Sequence, residues 1–453
     1  MATLAALLKH RGFDVRGSDE KVYPPMSDFL AAEGIPILEG YRAEHVDEPL
    51  DFVVVGNAIS RGNTELEVVL DRKMRHVSLP EALRDHFLWR ARSIVVAGTH
   101  GKTTTSSMAG WLLTHGGADP TVFIGGIARN FGEQGSSYRI GAENGPFVIE
   151  GDEYDSAFFD KTAKFLKYLP DIAVINNIEF DHADIYTDLD AVRLAFRRLV
   201  NLVPRRGLTL IGVDSADAAA LAERALSRVQ TFGTREGADW RAVDIAPVGD
   251  ATRFRLVEQG TDRGSFELPL AGVHNVRNAL AAIAVGRECG VAIDTLRQGL
   301  AAFQGVKRRL EVVGTRRDVM VYDDFAHHPT AVAETIRALK AAQPGRRIWA
   351  IFEPRSASSC RRFFQDDFAR AFAEADQVVI ASVFRSSLPP EERLSEEQLV
   401  TDLRDRGTAA RHLPDVAAIV REVSAEAKAG DTVVIMSNGG FGGIHGKLLE
   451  ALA

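Results

Sequence analysis

Short apolar runs alternate with longer amphipathic stretches along this chain, a pattern typical of parallel α/β folds. In the first part, residues 13–19 and 51–57 are predicted to form strands, and Leu4, Leu7 and Leu8 have helical spacing. In folds of this kind, ligands bind beyond the carboxyl ends of the strands. The pattern therefore predicts α/β units whose functional residues lie in the loops that follow strands.

The alternation continues to the end of the chain. Strands are predicted at residues 94–97, 147–149, 172–176, 208–211, 319–322, 347–352, 377–381 and 432–436. A more polar stretch, 234–268, predicts antiparallel strands, and a helix is predicted to follow at about 276–289. A charged stretch at 84–92 and a new run of strands after Lys307 suggest three domains, at 1–91, 92–306 and 307–453.

Composition narrows the class of protein. The 453 residues are 45% hydrophobic and 26% charged, which is ordinary for soluble globular domains, and the net charge of −8 favours solubility. The acidic balance argues against a nucleic-acid partner, and no apolar run reaches the roughly 20 residues of a membrane span. The two cysteines, Cys289 and Cys360, form no CxxC motif, so we expect a reducing, cytoplasmic setting.

One loop between a predicted strand and helix is the most informative segment, with the sequence Gly98-Thr99-His100-Gly101-Lys102-Thr103-Thr104. Backbone N–H groups in such a loop point at phosphate oxygens, and the helix N-terminus adds positive potential. A lysine at this position reaches the β- and γ-phosphates, and the next threonine ligates Mg²⁺. Val96 replaces the first glycine of the usual P-loop, so an ordinary turn with a surface lysine is the alternative. The loop predicts a site for ATP or a related nucleotide.

Carboxylates cluster after two of the predicted strands. The first cluster contains Glu150, Asp152, Glu153 and Asp155, and the second contains Glu179, Asp181, His182 and Asp184. Neighbouring carboxylates repel each other unless a cation lies among them, and Mg²⁺ at a phosphate-rich site supplies one. Two acidic, solvated loops are the alternative.

Two further groups of polar residues can each be interpreted in two ways. Asn275 and Asn278 lie three apart near a predicted helix start, where they cap the helix or contact a nucleotide. Asp323 and Asp324 are followed by the pair His327-His328. Histidine is a common metal ligand, but adjacent histidines point in different directions and no second histidine motif has zinc-enzyme spacing. Substrate or nucleotide contact is therefore favoured over metal binding there.

Two features of the last third suit an anionic ligand. The loop Ser437-Asn438-Gly439-Gly440 follows a strand and precedes the terminal helix predicted at 446–452, so its backbone can approach an anion closely. Arg355, after the strand at 347–352, is a natural bidentate clamp for a carboxylate. A surface arginine in a proline-containing turn is the alternative.

Taken together and in this order, these motifs resemble the Mur ligase family over essentially the whole chain. The resemblance rests on residues 97–104 and 177–182, His274 with Asn275 and Asn278, Arg308 with Arg309, Asp323 with Asp324, residues 327–329, and the closing glycine loop. It implies an α/β protein of three domains. These are a Rossmann-like N-terminal domain, a central P-loop ATPase-type domain with a mainly parallel sheet, and a C-terminal Rossmann-like domain.

The resemblance also implies a reaction in peptidoglycan recycling. ATP would drive the joining of UDP-N-acetylmuramate to the tripeptide L-Ala-γ-D-Glu-meso-diaminopimelate through an acyl phosphate, with Mg²⁺ as metal cofactor. The subgroup-like segments are 22–26, 152–160, 352–355 and 437–443. We expect a monomer or weak dimer acting on these small molecules, with no nucleic acid or membrane as partner.

Carried over position by position, the resemblance implies roles for particular residues. Those expected to act in catalysis are Lys102, Glu150, His182 and Arg309, and those expected to hold Mg²⁺ are Thr103, Glu150 and His182. ATP contacts are expected at Gly98, Thr99, His100, Gly101, Lys102, Thr103, Thr104, Asn275, Asn278, Arg308, Arg309 and Asp324. UDP-sugar contacts are expected at Ser18, Asp19, Asn57, Gly125, Gly126 and Asn130, and acceptor contacts at Arg355, Ser437, Asn438, Gly439 and Gly440.

Two departures from the family pattern qualify these expectations. Several members carry a carbamylated lysine after the Asp-His motif, whereas no lysine lies between Ala183 and Trp240 here. That agrees with the subgroup whose acceptor is L-alanine or the tripeptide, so L-alanine remains the alternative acceptor. The family also begins with a strand and glycine-rich loop before a helix like 3–10, where this chain starts. We therefore expect a misplaced start codon, or a shortened nucleotide-binding protein with weak activity.

Overall fold

The computed structural model describes residues 1–22, 26–384 and 388–453, and the described chain is mixed α/β, as predicted. Part of the subgroup-like segment 22–26 lies outside the described residues. Among the residues described, none of the helices combines the length and apolar character needed to cross a membrane.

The first segment is built from short elements. Its helices and strands are α1 (Ala2–His10), β1 (Gly17–Asp19), α2 (Met26–Ala32), β2 (Ile37–Glu39), β3 (Val53–Val55), α3 (Thr64–Asp71), β4 (His76–Ser78) and α4 (Leu79–Leu83). β1 pairs with β2 and β3 with β4, both in parallel, as separate two-stranded sheets. The strands predicted at 13–19 and 51–57 are thus shorter than expected. The apolar face of α1 packs into a cluster shared with the middle segment.

The middle segment carries the largest sheet. Its strands are β5 (Arg92–Ala97), β6 (Thr121–Ala128), β7 (Ser136–Arg139), β8 (Pro146–Gly151), β9 (Asp155–Ala157), β10 (Asp160–Ala163), β11 (Ile172–Ile175), β12 (Leu208–Gly212), β13 (Arg228–Gly233), β14 (Trp240–Val248), β15 (Ala251–Glu258) and β16 (Thr261–Leu268). Its helices are α5 (Lys102–His115), α6 (Leu189–Leu202), α7 (Ala216–Ala219), α8 (Val273–Glu288) and α9 (Ile293–Ala301). The helix α8 begins three residues earlier than predicted, so Asn275 and Asn278 lie in its first turns.

The ten strands of this sheet run in the order β16-β15-β14-β13-β12-β11-β5-β8-β6-β7. The central pairs are parallel, and β14–β16 are antiparallel, as the polar stretch predicted. In β5, Ile94 and Val96 face α5 and α8, whereas Val95 and Ala97 face the cluster containing α6. Because both faces of β5 are buried, the loop at its carboxyl end rests on a fixed support.

The last segment contains the second large sheet. Its elements are β17 (Glu311–Arg316), β18 (Val319–Asp324), α10 (Pro329–Ala342), β19 (Ile348–Phe352), α11 (Gln365–Ala371), β20 (Gln377–Ala381), α12 (Glu396–Asp405), β21 (Ala409–Leu413), α13 (Val416–Glu426), β22 (Thr432–Met436) and α14 (Ile444–Ala451). The strand order is β17-β18-β22-β19-β20-β21, and every pair except β17–β18 is parallel. The four strands predicted here are confirmed, and β17 and β21 are additional.

Backbone contacts hold the end of the middle segment and the first residue of the last segment against β6, just before the paired arginines. Ala128 and Val306 form an isolated antiparallel bridge. On either side of that bridge, Arg129 N donates to Gly305 O (3.1 Å) and Lys307 N donates to Ile127 O (2.9 Å). This connection fixes where the last segment begins relative to the middle sheet. The boundaries at 91 and 306 remain predictions.

Candidate active site

The loop between β5 and α5 (residues 98–101), which we call the phosphate loop, is held in place by contacts from several sides. Gly101 has a φ of 78°, in the left-handed region, and a Cβ there would overlap Asn278 Oδ1, so glycine is required. The backbone N–H of His100 donates to Asn177 Oδ1 (2.7 Å). The Thr99 hydroxyl donates to Glu179 O (3.2 Å). The loop and the segment after β11 therefore form one hydrogen-bonded unit.

Lys102, the first residue of α5, is anchored by a carboxylate. Its Nζ donates to Glu153 Oε1 (2.9 Å) and Oε2 (2.8 Å), and to Gly98 O (2.8 Å). Burial lowers the pKa of Lys102, but the carboxylates of Glu153 and Asp152 outweigh it, and the net shift is upward. The lysine is thus charged and oriented over the phosphate loop.

Glu150, at the end of β8, pairs with the residue after the lysine. Its Oε1 accepts from the Thr103 hydroxyl (2.9 Å), and its Oε2 accepts from the N–H of Gly125 (2.7 Å). Gly126 packs against the Thr103 methyl group. Burial raises the pKa of Glu150. A cation beside this carboxylate would therefore stabilise its ionised form.

His182 joins the same cluster through Glu153 rather than through Glu150. Its Nε2 lies 2.9 Å from Glu153 Oε1, and Glu153 itself is only 2% exposed. Burial lowers the pKa of His182, but the hydrogen bond and charge of Glu153 reverse this, and the net shift is upward. His182 has a φ of 56°, a strained conformation of the kind concentrated at functional sites.

The two arginines after the interdomain connection point in different directions. Arg309 Nη2 reaches Thr103 Oγ1 at 3.5 Å, and its guanidinium lies over the ring of Phe325. Arg308 Nη2 instead donates to Ser437 O and Gly439 O (both 2.7 Å). Arg308 has a φ of 62°, which turns the backbone between the two side chains. Arg309 thus faces the phosphate loop, and Arg308 braces the glycine-rich loop.

The candidate nucleotide contacts on α8 and β18 are also tied into the protein. Asn278 Oδ1 accepts from the Thr105 hydroxyl (3.1 Å), and Asn275 Nδ2 donates to Ala271 O (2.8 Å). Asp324 accepts from the N–H groups of Leu310 (2.7 Å) and Ala326 (2.8 Å). These residues frame the space between the phosphate loop and the last segment, and their contacts with a nucleotide remain predictions.

The candidate acceptor contacts form a second group around Arg355. The Arg355 guanidinium lies 3.7 Å from the centre of the Phe384 ring, and its other side faces Gly439, where a Cβ would overlap it. Glu353 Oε2 accepts from the Ser437 hydroxyl (2.5 Å), and Glu353 Oε1 lies 3.5 Å from Arg355 Nη1. In the loop itself, Asn438 Oδ1 is buried and no group in the described part of the chain bonds to it.

The candidate UDP-sugar contacts are spread more widely. Ser18 donates to Glu65, and Asp19 accepts from Lys21 N (3.2 Å), both within the first segment. With its amide oriented so that the nitrogen faces the carboxylate, Asn57 donates to Asp155 Oδ1 (3.1 Å) in the middle segment. Asn130 accepts from Gln304 N (2.8 Å) and so braces the interdomain connection. Of this set, the structure brings only Gly125 and Gly126 against the Glu150–Thr103 pair.

Glu153 is the main residue of the site to which the sequence assigned no role. A signal for it was present, because four carboxylates follow β8, but spacing alone did not show which of them meets the lysine. The structure gives that position to Glu153, which lies between Lys102 and His182. Glu179 was predicted only as a member of its carboxylate cluster and Thr330 was missed, and their hydroxyl–carboxylate contact (2.7 Å) joins the middle and last segments.

Comparison with known proteins agrees with this layout. Three family models match the chain: "Mur ligase family, catalytic domain" over residues 1–88, "Mur ligase middle domain" over 96–286, and "Mur ligase, glutamate ligase domain" over 308–439.

Individual relatives match over nearly their full length. The UDP-N-acetylmuramate–L-alanyl-γ-D-glutamyl-meso-2,6-diaminoheptandioate ligase of Haemophilus influenzae is 40% identical over 455 residues, covering 100% of this chain and 96% of that protein. The UDP-N-acetylmuramate–L-alanine ligase of Salinibacter ruber is 37% identical, with coverage of 97% and 90%. A crystal structure of a murein peptide ligase from Psychrobacter arcticus 273-4 is 37% identical with a TM-score of 0.74, covering 100% of this chain and 96% of that one.

Proposed function

This chain belongs to the Mur ligase family, and we propose that within it the chain joins UDP-N-acetylmuramate to the tripeptide L-Ala-γ-D-Glu-meso-diaminopimelate, using ATP. Members of the family are ATP-dependent amide-bond ligases that act on small molecules. The relative from H. influenzae is named for this tripeptide, and it matches the whole chain at 40% identity. The reaction belongs to peptidoglycan recycling.

One observation carries the proposal: adjacent arginines connect the phosphate loop to the glycine-rich loop of the last segment. Arg309 approaches Thr103 (3.5 Å), and Arg308 holds Ser437 O and Gly439 O (2.7 Å each). A ligase of this kind must bring a phosphorylated carboxylate and an acceptor amine to one place. Because Arg308 and Arg309 are consecutive in the chain, a single peptide bond links the residue that contacts one binding region to the residue that contacts the other.

The chemistry assigns a task to each charged group. The muramoyl carboxylate attacks the γ-phosphorus of ATP, the bond to the β,γ-bridging oxygen breaks, and ADP leaves. The acceptor amine then attacks the acyl carbon, loses a proton, and displaces phosphate. Lys102 and Arg309 offset the negative charge on the phosphoryl group during the first step. A carboxylate is a poor electrophile at neutral pH, and phosphorylation supplies its leaving group.

The oxygen-rich pair Thr103–Glu150 fits Mg²⁺, because a hydroxyl and a half-buried carboxylate converge at 2.9 Å. We propose that Thr103, Glu150 and His182 hold the metal ion. When bound, Mg²⁺ supplies positive charge that neutralises phosphate oxygens. Glu153 keeps Lys102 and His182 oriented toward the same space through hydrogen bonds of 2.8 and 2.9 Å.

The acceptor side suits a ligand larger and more highly charged than L-alanine. Arg355 offers a guanidinium fork, and Glu353 lies 3.5 Å from it, so together they match an amino-acid head with carboxylate and ammonium groups. The buried Asn438 Oδ1, which bonds to no group among the described residues, adds an acceptor in the same loop. Meso-diaminopimelate carries such a head at the far end of the tripeptide, away from the reacting amine, whereas the only amino group of L-alanine is the nucleophile and cannot be held as an ammonium by Glu353. These contacts support the tripeptide over L-alanine.

The test is a ligation assay with two competing acceptors. The purified chain is incubated with ATP, Mg²⁺, UDP-N-acetylmuramate, and equal concentrations of L-alanine and the tripeptide. We expect UDP-N-acetylmuramoyl-tripeptide and a stoichiometric amount of ADP. Preferential formation of UDP-N-acetylmuramoyl-L-alanine would assign the chain to the other acceptor class, and ADP formation that is independent of both acceptors would overturn the proposal.

A further inference from the structure

We propose that His100, Glu179 and His328 form a binding site for a divalent transition-metal ion of the Zn²⁺ class, separate from the proposed magnesium site. The three residues come from the phosphate loop, the segment after β11, and the N-terminus of α10. Their nearest ligand atoms all lie within 4.8 Å of one another. The proposal does not depend on the identity of the acceptor.

Two of the three separations between the ligand atoms match tetrahedral coordination, and the third, between the ligand atoms of the two histidines, is no more than 4.8 Å. His100 Nε2 lies 3.1 Å from Glu179 Oε2, and His328 Nδ1 lies 3.4 Å from the same oxygen. With bonds of about 2.0–2.1 Å, neighbouring ligands of a tetrahedral ion are separated by about 3.3 Å. An ion placed among these three atoms therefore requires only small side-chain adjustments.

The hydrogen bonds around His328 fix the orientation of its ring and leave Nδ1 without a proton at the edge of the cluster, where a bound cation would replace the Thr330 N–H at the one lone pair of that nitrogen. Nε2 donates its N–H to Phe180 O (3.2 Å), and Nδ1 accepts a hydrogen bond from Thr330 N (3.3 Å). An Nδ1 atom that accepts from an N–H group carries no proton. Its 3.4 Å approach to Glu179 Oε2 then joins two acceptors, and a cation between them would stabilise the arrangement.

The surroundings also resemble those of a metal ligand. Metal-binding histidines commonly donate their second ring N–H to a carbonyl or carboxylate, as His328 donates to Phe180 O (3.2 Å). The Thr330 hydroxyl orients the Glu179 carboxylate through a hydrogen bond of 2.7 Å. Two imidazole ligands favour Zn²⁺ and its neighbours over Mg²⁺, which prefers oxygen.

A bound ion would connect the phosphate loop to the last segment. His100 belongs to the loop, where its N–H is held by Asn177 Oδ1 (2.7 Å), and His328 begins α10. The sequence favoured substrate or nucleotide contact over metal for the histidine pair, because adjacent histidines diverge. The structure shows that divergence, and it also brings His328 to two ligands that are remote in sequence.

Zinc binding to the metal-free, full-length chain tests the site. Bound Zn²⁺ is measured by equilibrium dialysis and elemental analysis in excess Mg²⁺, and Co²⁺ substitution is followed by its visible absorption. We expect one tightly bound equivalent and an intense tetrahedral Co²⁺ spectrum. Both signals should be lost in Glu179→Gln and in His328→Asn, which keeps a side chain able to cap α10.

Three further variants distinguish loss of this site from misfolding and from binding at other histidines. His100→Asn removes a second imidazole and should also abolish binding, which guards against a folding defect in either of the first two variants. His412→Asn, remote in β21, is the matched control and should retain the ion, as should His182→Asn. Retention in His328→Asn, loss in His182→Asn alone, or no tight equivalent in the unaltered chain would overturn the proposal.

Discussion

The phosphate loop and the acceptor loop, which is the glycine-rich loop at residues 437–443 with Arg355 packed against it, hold their positively charged side chains in opposite ways. Lys102, whose side chain is 13% exposed, begins the helix that follows a strand covered on both faces, and both oxygens of a nearly inaccessible carboxylate bind it at 2.8–2.9 Å. Arg355 rests between Phe384, which is 56% exposed, and the backbone of Gly439. The first cation is fixed by charge, and the second by stacking at the surface.

This difference predicts different kinetic consequences. A group preorganised at the transferring phosphoryl acts mainly in the transition state, so its loss should lower kcat. A group that holds the acceptor contributes to ground-state binding as well, so its loss should raise the KM of that substrate. Substitutions in the two regions test this contrast, and their expected effects decrease from the phosphate loop to the acceptor loop.

Lys102→Ala should produce the largest effect. Removing a preorganised charge at a developing anion typically lowers kcat about a hundredfold or more. ADP release with both substrates saturating measures the loss, and circular dichroism checks the fold. Lys340→Ala, which removes a lysine paired with Asp376 far from the loop, is the matched control and should change kcat less than about twofold. Near-normal turnover in Lys102→Ala would end the assignment of the phosphate loop.

Glu153→Gln should reduce kcat by about tenfold to a hundredfold, because it weakens charged hydrogen bonds to Lys102 and His182. It also changes a titration. Glu153 raises the pKa of His182 while burial opposes it, so the variant should lose the His182 proton at lower pH. Histidine NMR spectra collected against pH without Mg²⁺ measure this shift. An unchanged His182 pKa would show that Glu153 does not control that proton.

The phosphate region was largely predictable because its determinants are local in sequence. Lys102 and Thr103 follow β5 after a loop of four residues, and an apolar strand, a glycine turn and a helix are readable from consecutive residues. The carboxylates at the ends of β8 and β11 were predicted as groups. Which carboxylate meets which partner was not predictable, because Glu150 and Glu153 lie three residues apart and sheet geometry decides between them.

The acceptor region and the first segment were harder to predict, for two physical reasons. The acceptor site combines Arg308, Glu353, Phe384 and the loop after β22, whose proximity depends on strand order in the last sheet. The strands of the first segment have three residues each, too few for a clear alternating pattern. Regions with long buried strands were therefore predictable, and regions with short strands or with contacts that depend on strand order were not. Composition did not distinguish the two kinds of region.

Arg355→Lys should raise the KM for the tripeptide about tenfold and leave the KM for ATP unchanged. The lysine keeps the charge but loses the fork and its stacking on Phe384, and hydrogen bonds to charged groups contribute about 1.5–3 kcal/mol. Steady-state kinetics with each substrate varied in turn measure both constants. An altered KM for ATP with an unchanged KM for the peptide would place Arg355 in the wrong region.

Arg308→Lys should produce the smallest effect, and it separates the roles of the adjacent arginines. The guanidinium of Arg308 donates to two carbonyls of the acceptor loop, Ser437 O and Gly439 O, at 2.7 Å, and a lysine can reproduce only part of this brace. Hydrogen bonds from charged groups contribute about 1.5–3 kcal/mol, but the lysine keeps the charge and the brace acts on the tripeptide only through the loop, so the tripeptide KM should rise only about threefold. Arg309→Lys is the matched comparison, and it should lower kcat because Arg309 faces Thr103.

Kinetics of both variants with ATP and tripeptide varied separately distinguish the two effects. If Arg308→Lys lowers kcat and leaves the tripeptide KM unchanged, both arginines act at the phosphate loop, and the contrast between the two regions fails at the residue that connects them.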